Sequence, residues 1–157
     1  RSLRSAEPFA LLMLDLDHFK AINDRHGHAA GDAALRQVSA LLKSGLREVD
    51  RLARYGGEEF LLLLPGLELP QARAVAERLR EQVAAAPATH AGTALPLSVS
   101  IGVAQWDGAE HGIEGVLGRA DAALYEAKRL GRDRVAVAPP PATPRASDIG
   151  ATAGARG

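Results

Sequence analysis

The chain has 157 residues, 46% of them apolar and 24% charged, the makeup of one globular domain with a sizeable core. Lys plus Arg number 19 and Asp plus Glu number 19, so no net field draws it toward nucleic acid or a membrane surface. Cysteine is absent, which excludes disulfides and thiol catalysis and agrees with a reducing, cytoplasmic setting.

No apolar run reaches the ~20 residues that crossing a bilayer requires, and there is no signal peptide. The chain opens at Arg1 without a methionine, as an excised fragment would. Any sensor or membrane region is then expected outside it.

The first predicted element is a buried strand, the apolar run Phe9 to Leu14, which ends in Asp15-Leu16-Asp17. His18 to Arg25 reads as a short helix closed by Gly27. Asp32 then stands early in a helix whose apolar residues Leu35, Val38, Leu41, Leu42 and Leu46 recur at helical spacing. Arg51 to Tyr55 and Phe60 to Leu64 form two strands, with Gly56-Gly57 as their hairpin connection.

Pro70 opens the next helix, Val75, Leu79 and Val83 mark its apolar face, and Pro87 ends it. Leu97, Val99, Ile101 and Val103 alternate with small or polar residues, which predicts a strand buried mainly on one face. Ile113, Val116, Leu117, Ala120, Leu124 and Ala127 define a last helix, and Val135 to Val137 a last strand. The order β-α-α-β-β-α-β-α-β indicates an α+β domain with a mostly antiparallel sheet over residues 1–138. From Pro139 to Gly157 the chain is rich in Pro, Ala and Gly and reads as a disordered tail.

Several residues can carry chemistry. Asp15, directly after an apolar strand, and Glu58, in the hairpin turn, can together hold Mg²⁺, which takes a few carboxylates plus substrate phosphate oxygens. Asp17 points to the same side in an extended segment, but capping the following helix is the favoured reading for it. Asn23 and Asp32 can read a guanine edge, Asn by donating and accepting, Asp by accepting from the ring N–H and amino group. Helix capping is the alternative for both.

Lys128 and Arg132 flank Leu130-Gly131 and suit a phosphate chain, or simply the C-terminal end of a helix. Arg47 and Asp50 can form a local ion pair or a surface nucleotide site. The five histidines form no convincing metal pattern.

Together these residues resemble a GGDEF domain, the diguanylate cyclase family. The resemblance runs from about Phe9 to Val137. It rests on Asp15-Leu-Asp-His-Phe-Lys-Ala-Ile-Asn-Asp24, Gly27-His-Ala-Ala-Gly-Asp32, Arg54-Tyr-Gly-Gly-Glu-Glu-Phe60, Ser100-Ile-Gly-Val103 and Arg119-Ala-Asp-Ala-Ala-Leu-Tyr-Glu-Ala-Lys128, in the family's order.

The resemblance implies a palm-like α/β fold related to class III nucleotide cyclases and polymerases. It implies condensation of two GTP into cyclic di-GMP by a homodimer holding one GTP per subunit. Asp15, Glu58 and the Leu16 carbonyl would bind Mg²⁺ (or Mn²⁺), and Glu59 would assist the metal or activate the ribose hydroxyl. Asn23 and Asp32 would read guanine and its ribose, and Gly56 and Gly57 would let the turn approach the nucleotide. Lys20, Lys128 and Arg132 would steady the triphosphate.

Arg47-x-x-Asp50, with Arg78 on the helix after the hairpin, stands where the family carries its inhibitory cyclic di-GMP site. Glu58 replaces the family's usual Asp. The family's opening helix and Asp-x-Leu-Thr turn are lacking, since only Arg1 to Pro8 precede the first strand, and Asp133 stands where Asn is usual. A non-catalytic receptor for GTP or cyclic di-GMP is the competing expectation. A nucleic-acid polymerase or adenylate cyclase fits poorly with the neutral charge and the carboxylate in the base pocket.

Overall fold

The computed structural model describes residues 7–106, 108 and 112–141. His111 and the tail beyond residue 141 lie outside the described residues.

The apolar run of the first predicted strand forms β1 (Phe9–Leu16), the centre of the fold. It is followed by α1 (Phe19–His26), α2 (His28–Ser44), β2 (Arg51–Arg54) and β3 (Glu59–Pro65). Next come α3 (Leu69–Ala85), a short hairpin of β4 (Ala88–His90) and β5 (Thr93–Leu95), β6 (Val99–Trp106), α4 (Glu114–Arg129) and β7 (Arg134–Val137). Five strands make the main sheet in the order β2-β3-β1-β6-β7. All its pairings are antiparallel except β6 with β7, so the α+β expectation of a mostly antiparallel sheet holds.

Strand alternation sorts the core into two layers. Leu12, Leu14 and Leu16 of β1, with Phe60, Leu62 and Leu64 of β3, join Ala34 and Val38 of α2 and Ala76 and Leu79 of α3 on one face. Leu11 and Met13 meet Val116, Ala120 and Leu124 of α4 on the other. The odd-numbered residues of β1 thus point toward α4, and Asp15 continues that series at the strand's C-terminal end.

Two sequence expectations need correction. The Ala88–Leu95 hairpin was not anticipated; its two-residue turn, Ala91 (φ 50°) and Gly92 (φ 79°), is of the doubly left-handed kind that hairpins favour. The strand β6 is buried on both faces from Val99 to Ala104, not mainly on one. Small residues hide this: Ser100, Gly102 and Ala104 form a flat strip against which α4 lies. At Gly102 the approach is so close that an added Cβ would fall well inside 3.0 Å of the Ala120 carbonyl and Leu124 amide of α4.

At the start of α3, the Glu68 amide donates to Gln71 Oε1 at 2.9 Å in a capping box, with Pro70 in the first turn, as the sequence implied. Among the described residues no helix is long and apolar enough to cross a membrane.

Candidate active site

The C-terminal end of β1 brings the acids together. Register pairs Asp15 with Glu59 across β1 and β3, and the Leu16 amide donates to the Glu58 carbonyl at 3.2 Å. The wide turn between β2 and β3 therefore sits beside the strand's end. A Cβ on Gly56 would lie 3.3 Å from Glu59 Oε1, so the Glu59 side chain folds across that glycine. Arg54 braces the turn by donating to the Gly57 carbonyl, with its guanidinium 5.3 Å above the Phe60 ring.

From the other side, the last turn of α4 brings Lys128, whose ammonium pairs with Asp15 Oδ2. Asp15, Leu16, Lys20, Glu58, Lys128 and Arg132 line a common open cavity of about 150 Å³. The structure thus unites most of the residues selected for metal and phosphate binding. The Lys20 side chain is 89% exposed and pairs with Asp24 at 3.1 Å.

Asp15 is 3% exposed, and burial pushes its carboxyl up from the ordinary 3.8 to about 6. The hydrogen bond and charge of Lys128 oppose this shift, while Glu58 and Glu59 add to it. Its Oδ1 is buried with no hydrogen-bond partner among the described residues. Among those residues no three acidic or imidazole side chains converge into a ready metal cluster. A buried orphan carboxylate oxygen beside two further glutamates nevertheless fits a hard cation that completes its shell with substrate phosphate oxygens.

Asp17 has a different fate. It does not cap α1, which lacks a side-chain cap; both its oxygens accept bonds from the protein. Oδ1 takes the Ser100 hydroxyl at 2.6 Å, and Oδ2 takes the Ser98 hydroxyl at 2.7 Å and the Asp133 amide at 3.0 Å. Of two acids two residues apart, one is saturated by donors and the other keeps an open oxygen.

Asn23 and Asp32 are not helix caps either, since α2 also lacks a side-chain cap. Asn23 lies against Gly31, where any Cβ would collide with its side-chain oxygen, and that oxygen is buried without a partner among the described residues. Asp32 is exposed and lines a separate open cavity of about 260 Å³ with Leu35, Arg36, Ser39 and Arg54. The role of Arg54 in both places was missed in the sequence, although it opens the glycine-rich motif.

Away from this end, the Arg47 guanidinium grips Asp50 (Nη2 to Oδ1, 2.6 Å) and donates to the Pro65 carbonyl at 2.7 Å. Asp50 is buried, and the Arg47 side chain is half exposed. Arg78 donates to the Gly45 carbonyl just beyond α2, at 2.7 Å.

The order of strands, the glycine-rich turn and the acids beside it define a palm-like α+β domain with an acid-lined cavity, and comparison with known proteins narrows this. Residues 1–134 match the model of the diguanylate cyclase GGDEF domain. The chain belongs to that family.

It is 47% identical over 138 residues to diguanylate cyclase DgcP of Pseudomonas aeruginosa, covering 88% of this chain and 20% of that protein. To diguanylate cyclase A of Treponema denticola it is 43% identical over 129 residues, covering 82% and 35% of the two chains. It therefore spans about a fifth to a third of the length of these curated relatives.

The GGDEF domain of DgcB from Caulobacter crescentus, solved with cyclic di-GMP, superimposes with a TM-score of 0.79 at 36% identity, covering 83% of this chain and 78% of that one. The active GGEEF domain of a Vibrio cholerae diguanylate cyclase gives a TM-score of 0.79 at 32% identity, over 86% and 85% of the chains. The palm-like fold is thus shared with solved members of the family.

Proposed function

We propose that this chain condenses two GTP into cyclic di-GMP with release of two pyrophosphates, as a homodimer holding one GTP in each subunit. The observation that carries this reading is the buried Asp15 with its unpartnered Oδ1, beside the Glu58-Glu59 turn and on the wall of a cavity that Lys128 and Arg132 also line. Asp15, Glu58 and the Leu16 carbonyl would hold Mg²⁺ or Mn²⁺, with Glu59 assisting. The cation would neutralise phosphate charge and favour ionisation of the attacking 3′-hydroxyl.

The chain's own groups do the rest. Lys128 and Arg132 hold the triphosphate, Lys128 exchanging its contact with Asp15 for phosphate oxygens as substrate enters. Lys20, exposed at the rim, adds a mobile charge. Asp32 and Asn23 select guanine, and Gly56 and Gly57 keep the turn low enough for the nucleotide to lie across it. Glu59 accepts the proton of the ribose hydroxyl or supports the metal. Catalysis is then mainly positioning and charge neutralisation.

Arg47, Asp50 and Arg78 form an inhibitory cyclic di-GMP site that fixes subunit orientation. The ready-made grip of Arg47 on Asp50 supports it. The same site would serve a non-catalytic receptor, and turnover separates the two readings. A cytoplasmic setting for the domain of residues 1–138 agrees with a nucleotide substrate and the lack of cysteine.

The test is Mg²⁺-dependent formation of cyclic di-GMP by wild type and Glu59→Gln. The expected outcome is product from the first and loss of turnover with intact melting behaviour in the second. Full activity in Glu59→Gln would overturn the assignment.

A further inference from the structure

We infer that Asp17 is a positioning residue: it fixes the turn that carries Arg132, and through that turn it sets the affinity of the site for a nucleoside triphosphate. This rests on the triphosphate role proposed above for Arg132.

The chain leaves α4 and enters β7 through three consecutive residues with positive φ: Gly131 (127°), Arg132 (63°) and Asp133 (48°). Glycine takes such angles freely. Arg and Asp do so at a cost of about 1 kcal/mol or more each, and the conformation persists only where its surroundings over-determine it.

Here the restraints are visible. The Arg132 amide donates to the Ala127 carbonyl at 2.9 Å, and Arg134 Nε donates to the Arg132 carbonyl at 3.0 Å. The Asp133 carboxylate accepts from Arg80 of α3 at 3.0 Å. The Gly131 amide donates to the Lys128 carbonyl at 3.2 Å, and the Asp133 amide ends on Asp17 Oδ2 at 3.0 Å.

Asp17 is itself held by the sheet. It is 5% exposed, and the Ser98 and Ser100 hydroxyls hold its two oxygens at 2.7 and 2.6 Å. With all its close donors supplied by the chain, it is poorly placed to ligate a cation, unlike Asp15. What it does instead is join the end of β1, the start of β6 and the turn after α4 in one hydrogen-bonded knot. That turn brings Arg132 to the cavity it shares with Asp15 and Glu58. Removing the carboxylate orphans the Asp133 amide and frees a strained turn to relax, carrying the guanidinium away from the phosphates.

The experiment is a double-mutant cycle read as binding of 3′-deoxy-GTP, which lacks the attacking hydroxyl and cannot condense, with Mg²⁺ by calorimetry. Arg132→Ala is expected to weaken binding about tenfold, the scale of one charge-assisted contact. Asp17→Ala should weaken it by a similar factor, and the double variant should be no worse than Arg132→Ala alone.

Asp17→Asn should bind within about twofold of wild type. Its carboxamide oxygen can still accept from Ser98 and the Asp133 amide, while its NH₂ donates to Ser100 Oγ. If Asp17→Ala does not fold, Ser98→Ala replaces it, with a weakening of about threefold expected that vanishes in the Arg132→Ala background.

Losses that multiply to about a hundredfold in the double variant would overturn the inference, since the two residues would then act independently. So would wild-type affinity in Asp17→Ala, or an Asp17→Asn protein as impaired as Asp17→Ala, which would make the charge itself the requirement. Binding of 3′-deoxy-GTP by a wild type that makes no cyclic di-GMP from GTP would sink the cyclase reading and leave the coupling intact. A wild type that binds no triphosphate would sink both.

Discussion

Replacing Asp15 by Asn should make the metal-free protein more stable at neutral pH while removing its response to Mg²⁺. The reasoning begins with a carboxyl whose folded-state pKa, about 6, lies above its ordinary 3.8. An acid raised in this way binds its proton more tightly in the folded state. Its penalty is therefore absent below pH 4, grows as pH rises, and is complete above about 6.

At about 1.36 kcal/mol per pH unit the interval amounts to about 3 kcal/mol. The cavity is open to water, so about half of that, ~1.5 kcal/mol, is the better expectation. An Asn of the same shape escapes the penalty. For a domain of this size the gain corresponds to about 4–5 °C in Tm at pH 7.5, and to nearly nothing at pH 4. The assay is thermal unfolding of both proteins in EDTA at the two pH values, then with Mg²⁺ at pH 7.5. Mg²⁺ should raise the melting temperature of the wild type, increasingly so across pH 6, and leave Asp15→Asn unchanged. A variant that melts at or below the wild type in EDTA at pH 7.5 would refute the reasoning, because Lys128 would then compensate the buried charge in full.

Three further outcomes are expected. Gly102→Ala forces a methyl into the α4 backbone and should cost about 3 kcal/mol or more, read as a fall of about 10 °C in Tm; a wild-type melt would show that α4 can move aside. Asp32→Ala should weaken GTP binding by about 10–100-fold and leave ATP binding nearly unchanged, and equal effects on both would discard the guanine pocket. Arg47→Ala should lower affinity for cyclic di-GMP at least about tenfold while GTP turnover in the absence of added cyclic di-GMP persists. Unaltered inhibition in that variant would place the inhibitory site elsewhere.

Much of this was legible in the residues because the relevant signals are local. Six apolar residues ending in Asp15 announce a buried strand with an acid at its tip, and Gly56-Gly57 between two strands announces a turn. The Ala88–Leu95 hairpin went unseen since its strands are three residues each and carry little alternation. The second buried face of β6 was hidden by Ser100, Gly102 and Ala104, whose smallness suits a helix backbone and mimics exposure in a hydropathy pattern.

Asp17 was misread as a cap for a deeper reason. Its partners Ser98, Ser100 and Asp133 lie 81, 83 and 116 residues away, and only the β1–β6 register and the turn after α4 bring them to it. The same contacts show how Asp is accommodated at position 133, where the resemblance implies Asn as the usual residue. The backbone amide makes the bond to Asp17, a left-handed φ suits either residue, and the carboxylate finds Arg80.

The central claim is tested most directly by incubating the protein with GTP and Mg²⁺ over a wide range of protein concentration and quantifying cyclic di-GMP. The account predicts product whose specific rate rises with concentration, as a site completed between two subunits requires. Absence of product at every concentration from a protein that binds GTP would contradict it and leave a nucleotide receptor on the same fold.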